Sequence, residues 1–128
     1  MRGKKAMALV SGVTALIMAA APLASANDAD VIRRGSCSGR SDWKLKLSPE
    51  NGRIEVEYEV DQNRAGDTWK VRLKHDGKRF FRGRRVTEGP SGSFEVRRVE
   101  PNHRGRDRFR ARAVNLRTDQ VCWGRAGF

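Results

Sequence analysis

The run Arg108-Phe109-Arg110-Ala111-Arg112-Ala113 constrains this chain more than any other feature. Basic and apolar residues alternate one for one, which suits a β-strand with one face in a core and one in water; a helix, with a period of 3.6, would mix the two kinds on each face. The run lies inside Ser93 to Gly127, a stretch that also carries the second cysteine and the densest positive charge.

The same alternation recurs upstream. Trp43, Leu45 and Leu47 alternate with Lys44 and Lys46, and Ser48-Pro49-Glu50-Asn51-Gly52 reads as a turn opened by proline and closed by glycine. Its second arm places Ile54, Val56, Tyr58 and Val60 on one face, and Glu55, Glu57 and Glu59 on the other, opposite the two lysines. After a turn-rich link from Asp61 to Gly66, Trp69, Val71 and Leu73 point inward while Lys70, Arg72 and Lys74 point outward. Asp76-Gly77 is a two-residue hairpin signal. That turn sets Leu73 opposite Phe80 and Arg72 opposite Phe81, which exposes Phe81 unless the strand bulges.

The basic run Arg82-Gly83-Arg84-Arg85 then leads into a Gly-Pro-Ser-Gly loop at 89–92. Phe94, Val96 and Val99 form another apolar face, irregular at Arg97-Arg98 and closed by Pro101. The turn His103-Arg104-Gly105 precedes the long strand, and Asn115 to Gln120 links it to Val121-Cys122-Trp123. Seven strands and no sustained helical period read as an all-β sandwich or barrel.

Ahead of these strands, Arg2, Lys4 and Lys5 precede an apolar run from Ala6 to Leu23 that ends in Ala24-Ser25-Ala26. Positive start, apolar middle and small residues spaced for cleavage read as a secretory signal peptide over 1–26, and the Ala-x-Ala end argues against a membrane anchor. The expected organisation is then a polar N-terminal segment at 27–40 and one β domain at 41–128, secreted and not membrane-spanning after cleavage. Of 27 Lys plus Arg, three precede residue 27, which leaves 24 against 15 Asp plus Glu and a net charge of +9. Such a field draws polyanions. Cys37 and Cys122, an even pair in an oxidising compartment, are expected to form a structural bridge rather than to leave a free thiol. It would close a loop of 86 residues counting both ends, for which the chain-entropy figure is about 4–5 kcal/mol at most.

Val99-Glu100-Pro101 followed by Phe109-Arg110-Ala111-Arg112-Ala113-Val114-Asn115 resembles the passage from fifth to sixth strand of fibronectin type III domains. The tyrosine usual at that corner is missing, with Asp107 or Phe109 nearest its place, the turn is longer, and a terminal disulfide is not a family hallmark. The resemblance implies a seven-stranded immunoglobulin-like sandwich with one disulfide. The strands of Trp43, Val56 and Phe94 then form one sheet, and those of Trp69, Phe80, Phe109 and Val121 the other. Charge divides accordingly: Lys44, Lys46, Glu55, Glu57, Glu59 and Glu95 share a mixed outer face, whereas Lys70, Arg72, Lys74, Arg108, Arg110 and Arg112 gather on the second sheet.

Reactive constellations are not evident. His75 and His103 sit near turns without a partner at metal-ligand spacing, so they read as solvated turn residues and no metal is expected. Gly35-Ser36-Cys37-Ser38-Gly39 lacks the strand and helix of a nucleophile elbow, and no phosphate-cradling glycine loop opens a helix. The expectation is a binding module without enzymatic activity or cofactor. Two functions compete. In one, the basic sheet, with Phe81 set among its bases, docks on an anionic envelope or matrix polymer. In the other, a rigid protein-recognition module, such as an inhibitor of a secreted enzyme, meets an acidic protein surface through Arg-rich loops carrying Arg82, Arg84, Arg85, Arg104 and Arg106.

Overall fold

A computed structural model describes residues 29–128. The signal segment expected over 1–26 lies outside the described residues. The described residues form eight antiparallel strands in two four-stranded sheets, compatible with a β-sandwich. β1 (Val31–Ser36), β2 (Asp42–Glu50), β3 (Arg53–Asp61) and β6 (Ser93–Pro101) make the first sheet in the order β1-β2-β3-β6. β5 (Lys78–Val86), β4 (Thr68–His75), β7 (Arg108–Asn115) and β8 (Val121–Gly127) make the second in the order β5-β4-β7-β8.

Inner residues from both sheets fill one cluster. Leu45, Ile54, Val56, Tyr58, Trp69, Val71, Leu73, Phe94, Val96, Phe109, Ala111 and Ala113 are all buried in it. The sheets meet at both edges, β5 against β6 on one side and β8 against β1 and β2 on the other. The Cys37–Cys122 disulfide ties the chain leading out of β1 to β8, and buried Tyr58 donates its hydroxyl to the Cys122 carbonyl at 2.9 Å. Trp43 is half-buried against the core, over Gly35 and reaching Gly124 of the opposite sheet.

Four details differ from the sequence reading. The strands among the described residues number eight, because Val31–Ser36 pairs along β2 from Val31↔Leu47 to Ser36↔Asp42. An edge strand bonded on one side and only partly covered carries no clean alternation, which hid it in the polar segment. β2 runs through Pro49 to Glu50, and Asn51-Gly52, with φ of 49° and 76°, makes the turn alone. β6 pairs with β3 without a register shift, so Val99 faces outward beside Glu55 instead of joining the core. Finally, Asp76-Gly77 forms the expected two-residue turn, with His75 opposite Lys78, but the register then slips at Leu73/Lys74. The bulge sets Leu73 opposite Phe81, so Phe81 turns into the core and Phe80 packs edge-on against His75 and Phe109.

Candidate functional site

The outer face of the second sheet is a lattice of bases. Strands about 4.8 Å apart, with same-face residues about 6.7 Å apart along each, put every neighbour within reach of one extended ligand. Reading across β5-β4-β7-β8, one row holds Arg84, Lys70, Val114 and Val121, the next Arg82, Arg72, Arg112 and Trp123, and the next Arg79, Lys74, Arg110 and Arg125. Arg108 follows on β7. The face thus carries ten bases, and β4, β5, β7 and β8 contain no acidic residue at all. Among the described residues none of the ten makes a side-chain ion pair.

The other sheet mixes the signs and pairs them, although Arg34↔Lys44 and Glu59↔Glu95 are like-charged there. Lys44 lies 4.0 Å from Glu59, Lys46 lies 3.7 Å from both Glu57 and Asp30, and Arg97 pairs with Glu55. Pairing there is cross-strand and local. On the basic face, six directly opposed positions are like-charged: Lys70↔Arg84, Arg72↔Arg82, Lys74↔Arg79, Arg72↔Arg112, Lys74↔Arg110 and Arg110↔Arg125. Each such pair costs on the order of a few tenths to 1 kcal/mol in the free protein. An anion lying across the rows relieves that repulsion.

All six bases assigned to this face from the sequence are brought together, and Phe81 is not among them. It is inward and nearly buried, its ring covered by the guanidinium carbons of Arg98 at 4.6 Å and Arg85 at 5.0 Å. The aromatic of the face is Trp123, 62% exposed and opposite Arg112. A cleft of about 350 Å³ runs beside it, lined by Arg72, Lys74, Arg110 and Arg112. Parity would have found it, since Cys122 points inward and its neighbour Trp123 must point out. Arg82, Arg84 and Arg85 belong to β5 rather than to a loop. Arg82 and Arg84 extend the basic face, while Arg85 covers Phe81. Arg104 and Arg106 are exposed in the β6–β7 connection.

The histidines are not two separate solvated turn residues. His75 continues the inward parity of β4 and is only 4% exposed. Its ring stacks between His103 (centroids 4.4 Å apart) and Phe109 (4.2 Å). Nε2 lies 2.6 Å from Asp107 Oδ1, and Nδ1 lies 3.1 Å from Glu100 Oε1. Half-exposed His103 holds Asp76 Oδ2 at 2.8 Å, which raises the His103 pKa above its ordinary value. The same contact, with the Arg108 amide donating to Asp76 Oδ1, lowers that of Asp76.

At the other end of the sheets, buried Asp67 takes both Arg117 Nε and Nη2 at 2.9 Å and Asn115 Nδ2 at 2.9 Å, with Gln62 Nε2 also donating to it. Arg117 above all, then Asn115 and Gln62, holds its carboxyl well below the usual carboxylate range. This network ties the β3–β4 link to the β7–β8 loop, and it is structural. No protein-family model, no curated protein and no solved structure matches the chain.

Proposed function

We propose that this protein is a cationic binding module whose outer β5-β4-β7-β8 face docks along a linear anionic polymer bearing phosphate or carboxylate groups. The observation that carries the reading is segregation: ten unpaired bases, no acid and an exposed tryptophan share one face, while the acids of the other sheet sit beside its bases. A face charged only for solubility needs no such sorting, since interspersed signs serve as well and avoid the like-charge cost. Trp123 supplies a flat apolar surface between Arg112 and the cleft, suited to stacking on a ring of the ligand. The strand order, with β2-β3-β6 set against β5-β4-β7-β8, supports an immunoglobulin-like topology to which β1 adds an edge strand. The disulfide supports residence in an oxidising compartment outside the cell.

The test is titration with polyphosphate at several salt concentrations. Replacing Arg72, Arg108, Arg110 and Arg112 by Gln should weaken binding far more than replacing Arg34, Arg40, Lys44 and Arg53, although both variants lose four charges. The slope of log K against log salt should also flatten, by up to about 3–4 in the first variant. Equal losses would reduce the face to general cationic attraction. No binding of the wild type at low salt would favour the protein-recognition reading, with exposed Arg104 and Arg106 as contact residues.

A further inference from the structure

We infer that His75, Asp76, His103 and Asp107 form a binding site for a divalent transition-metal ion of the zinc class. One ligand atom from each residue lies within 4.8 Å of all the others. Tetrahedral zinc, with bonds of about 2.0–2.2 Å to imidazole and carboxylate, needs ligand atoms about 3.3–3.6 Å apart. The separations bracket that edge: 2.6 Å from His75 Nε2 to Asp107 Oδ1, 2.8 Å from His103 Nδ1 to Asp76 Oδ2, 3.3 Å from His103 Nδ1 to Asp107 Oδ1 and 3.6 Å from His75 Nε2 to Asp76 Oδ2. The two shorter ones are hydrogen bonds. An entering ion replaces them, displaces the protons that bridge them, and turns the half-exposed His103 ring out of its stack on His75 so that both imidazole lone pairs meet it.

Two further observations point to a cation. Glu100 faces Nδ1 of His75 at 3.1 Å and is not itself in the ligand set. With an ion on Nε2 the ring keeps its proton on Nδ1 and donates it in a hydrogen bond to Glu100, which fixes the ring plane as an outer carboxylate does for a metal-bound histidine. In addition, Asp107 is fully buried, and its Oδ2 has no hydrogen-bond partner among the described residues. A buried carboxylate with one oxygen lacking a donor carries poorly compensated negative charge, and a cation held at its Oδ1 offsets that charge. Two imidazoles with two carboxylates suit Zn2+, with Cu2+ and Ni2+ as competitors, better than Mg2+ or Ca2+.

The site has a structural consequence. Asp76 lies in the β4–β5 turn, His75 ends β4, and His103 and Asp107 belong to the β6–β7 connection, so an ion would pin two connections at one end of the sheets. Cys122 pairs with Ala113 and the Cys37 side meets the chain next to Val121, toward the other end of β7. The disulfide and the ion would thus close opposite ends. Arg106 and Arg108 flank Asp76 in the adjoining cleft, and the carboxylates of Asp76, Glu100 and Asp107 counter their field.

Calorimetric titration of ZnCl2 into the purified, untagged protein after chelator treatment tests the site. One ion should bind per chain, and Co2+ should give the visible absorption of tetrahedral coordination. H103A should weaken Zn2+ binding by about 100-fold or more, beyond the 10–100-fold that E100Q should cost through loss of orientation alone. D76N keeps an acceptor for the Arg108 amide and serves as a second ligand variant with the fold intact. A melting temperature that rises with Zn2+ in the wild type but not in D76N or H103A would support the site. Absence of saturable Zn2+ binding, or equal binding by the wild type and both ligand variants, would overturn it.

Discussion

Gly124→Ala is a demanding test of how the two sheets are held together. Gly124 is buried on β8 with an ordinary strand backbone, so alanine there carries no conformational penalty and, by restricting the unfolded chain, would stabilise by about 0.4–1 kcal/mol if space allowed. Space does not allow it. A Cβ on Gly124 would meet Cη2 and Cζ3 of Trp43 far inside van der Waals contact, with Cζ2 at 2.7 Å. The ring cannot simply retreat, because it also lies over Gly35, where a Cβ would stand 2.7 Å from Nε1. Optimal carbon contacts are about 3.5–4.0 Å, so the indole must move by about 1 Å or more and loosen the junction of β1, β2 and β8. Overpacking of this kind costs about 1–3 kcal/mol, and a slot bounded on two sides belongs at the upper end. The net is a loss of about 2 kcal/mol, or about 8–16 °C in melting temperature for a domain of this size. Urea unfolding followed by tryptophan fluorescence measures it. Adding Trp43→Leu should recover part of the loss, giving a coupling of about 1 kcal/mol in the double-mutant cycle. A neutral or stabilising Gly124→Ala would refute the placement of the Trp43 ring.

The remaining predictions concern the core and the acid response. Val71→Ala should cost about 2–3 kcal/mol, since Val71 is fully buried between Gly83 and Ala113, whereas exposed Arg72→Ala should cost little; the reverse ranking would mean that β4 is in the wrong register. Asp67 has its native pKa depressed by Arg117, so its contribution to stability is present above the unfolded carboxyl value of about 3.9 and fades as pH falls below it. The wild-type urea midpoint should therefore fall more steeply from pH 5 to pH 2 than that of Asp67→Asn, and parallel curves would remove Asp67 from the acid response.

Period-two alternation made most of the strands legible from residues alone, because side chains in a strand alternate faces whatever lies around them. The parity of Trp69, Val71 and Leu73, of Ile54, Val56 and Tyr58, and of Phe109, Ala111 and Ala113 needed no tertiary information, and neither did the sign of the charge opposite each. The same rule, carried two residues past Leu73 and one past Cys122, would have put His75 inside and Trp123 outside. What parity does not reach is anything set by a neighbour. β1 became a strand because β2 offers an unpaired edge, Phe81 turned inward because a bulge shifts the register against β4, and Arg82 and Arg84 joined the basic face for the same reason. The cluster of His75, Asp76, His103 and Asp107 is the extreme case. Its members come from a strand end, a tight turn and a connection 27 residues beyond that turn, and only the antiparallel packing of β4 on β7 makes them neighbours. Local alternation determined which face each side chain takes; strand pairing, which depends on residues far apart in the chain, decided which of those faces meet.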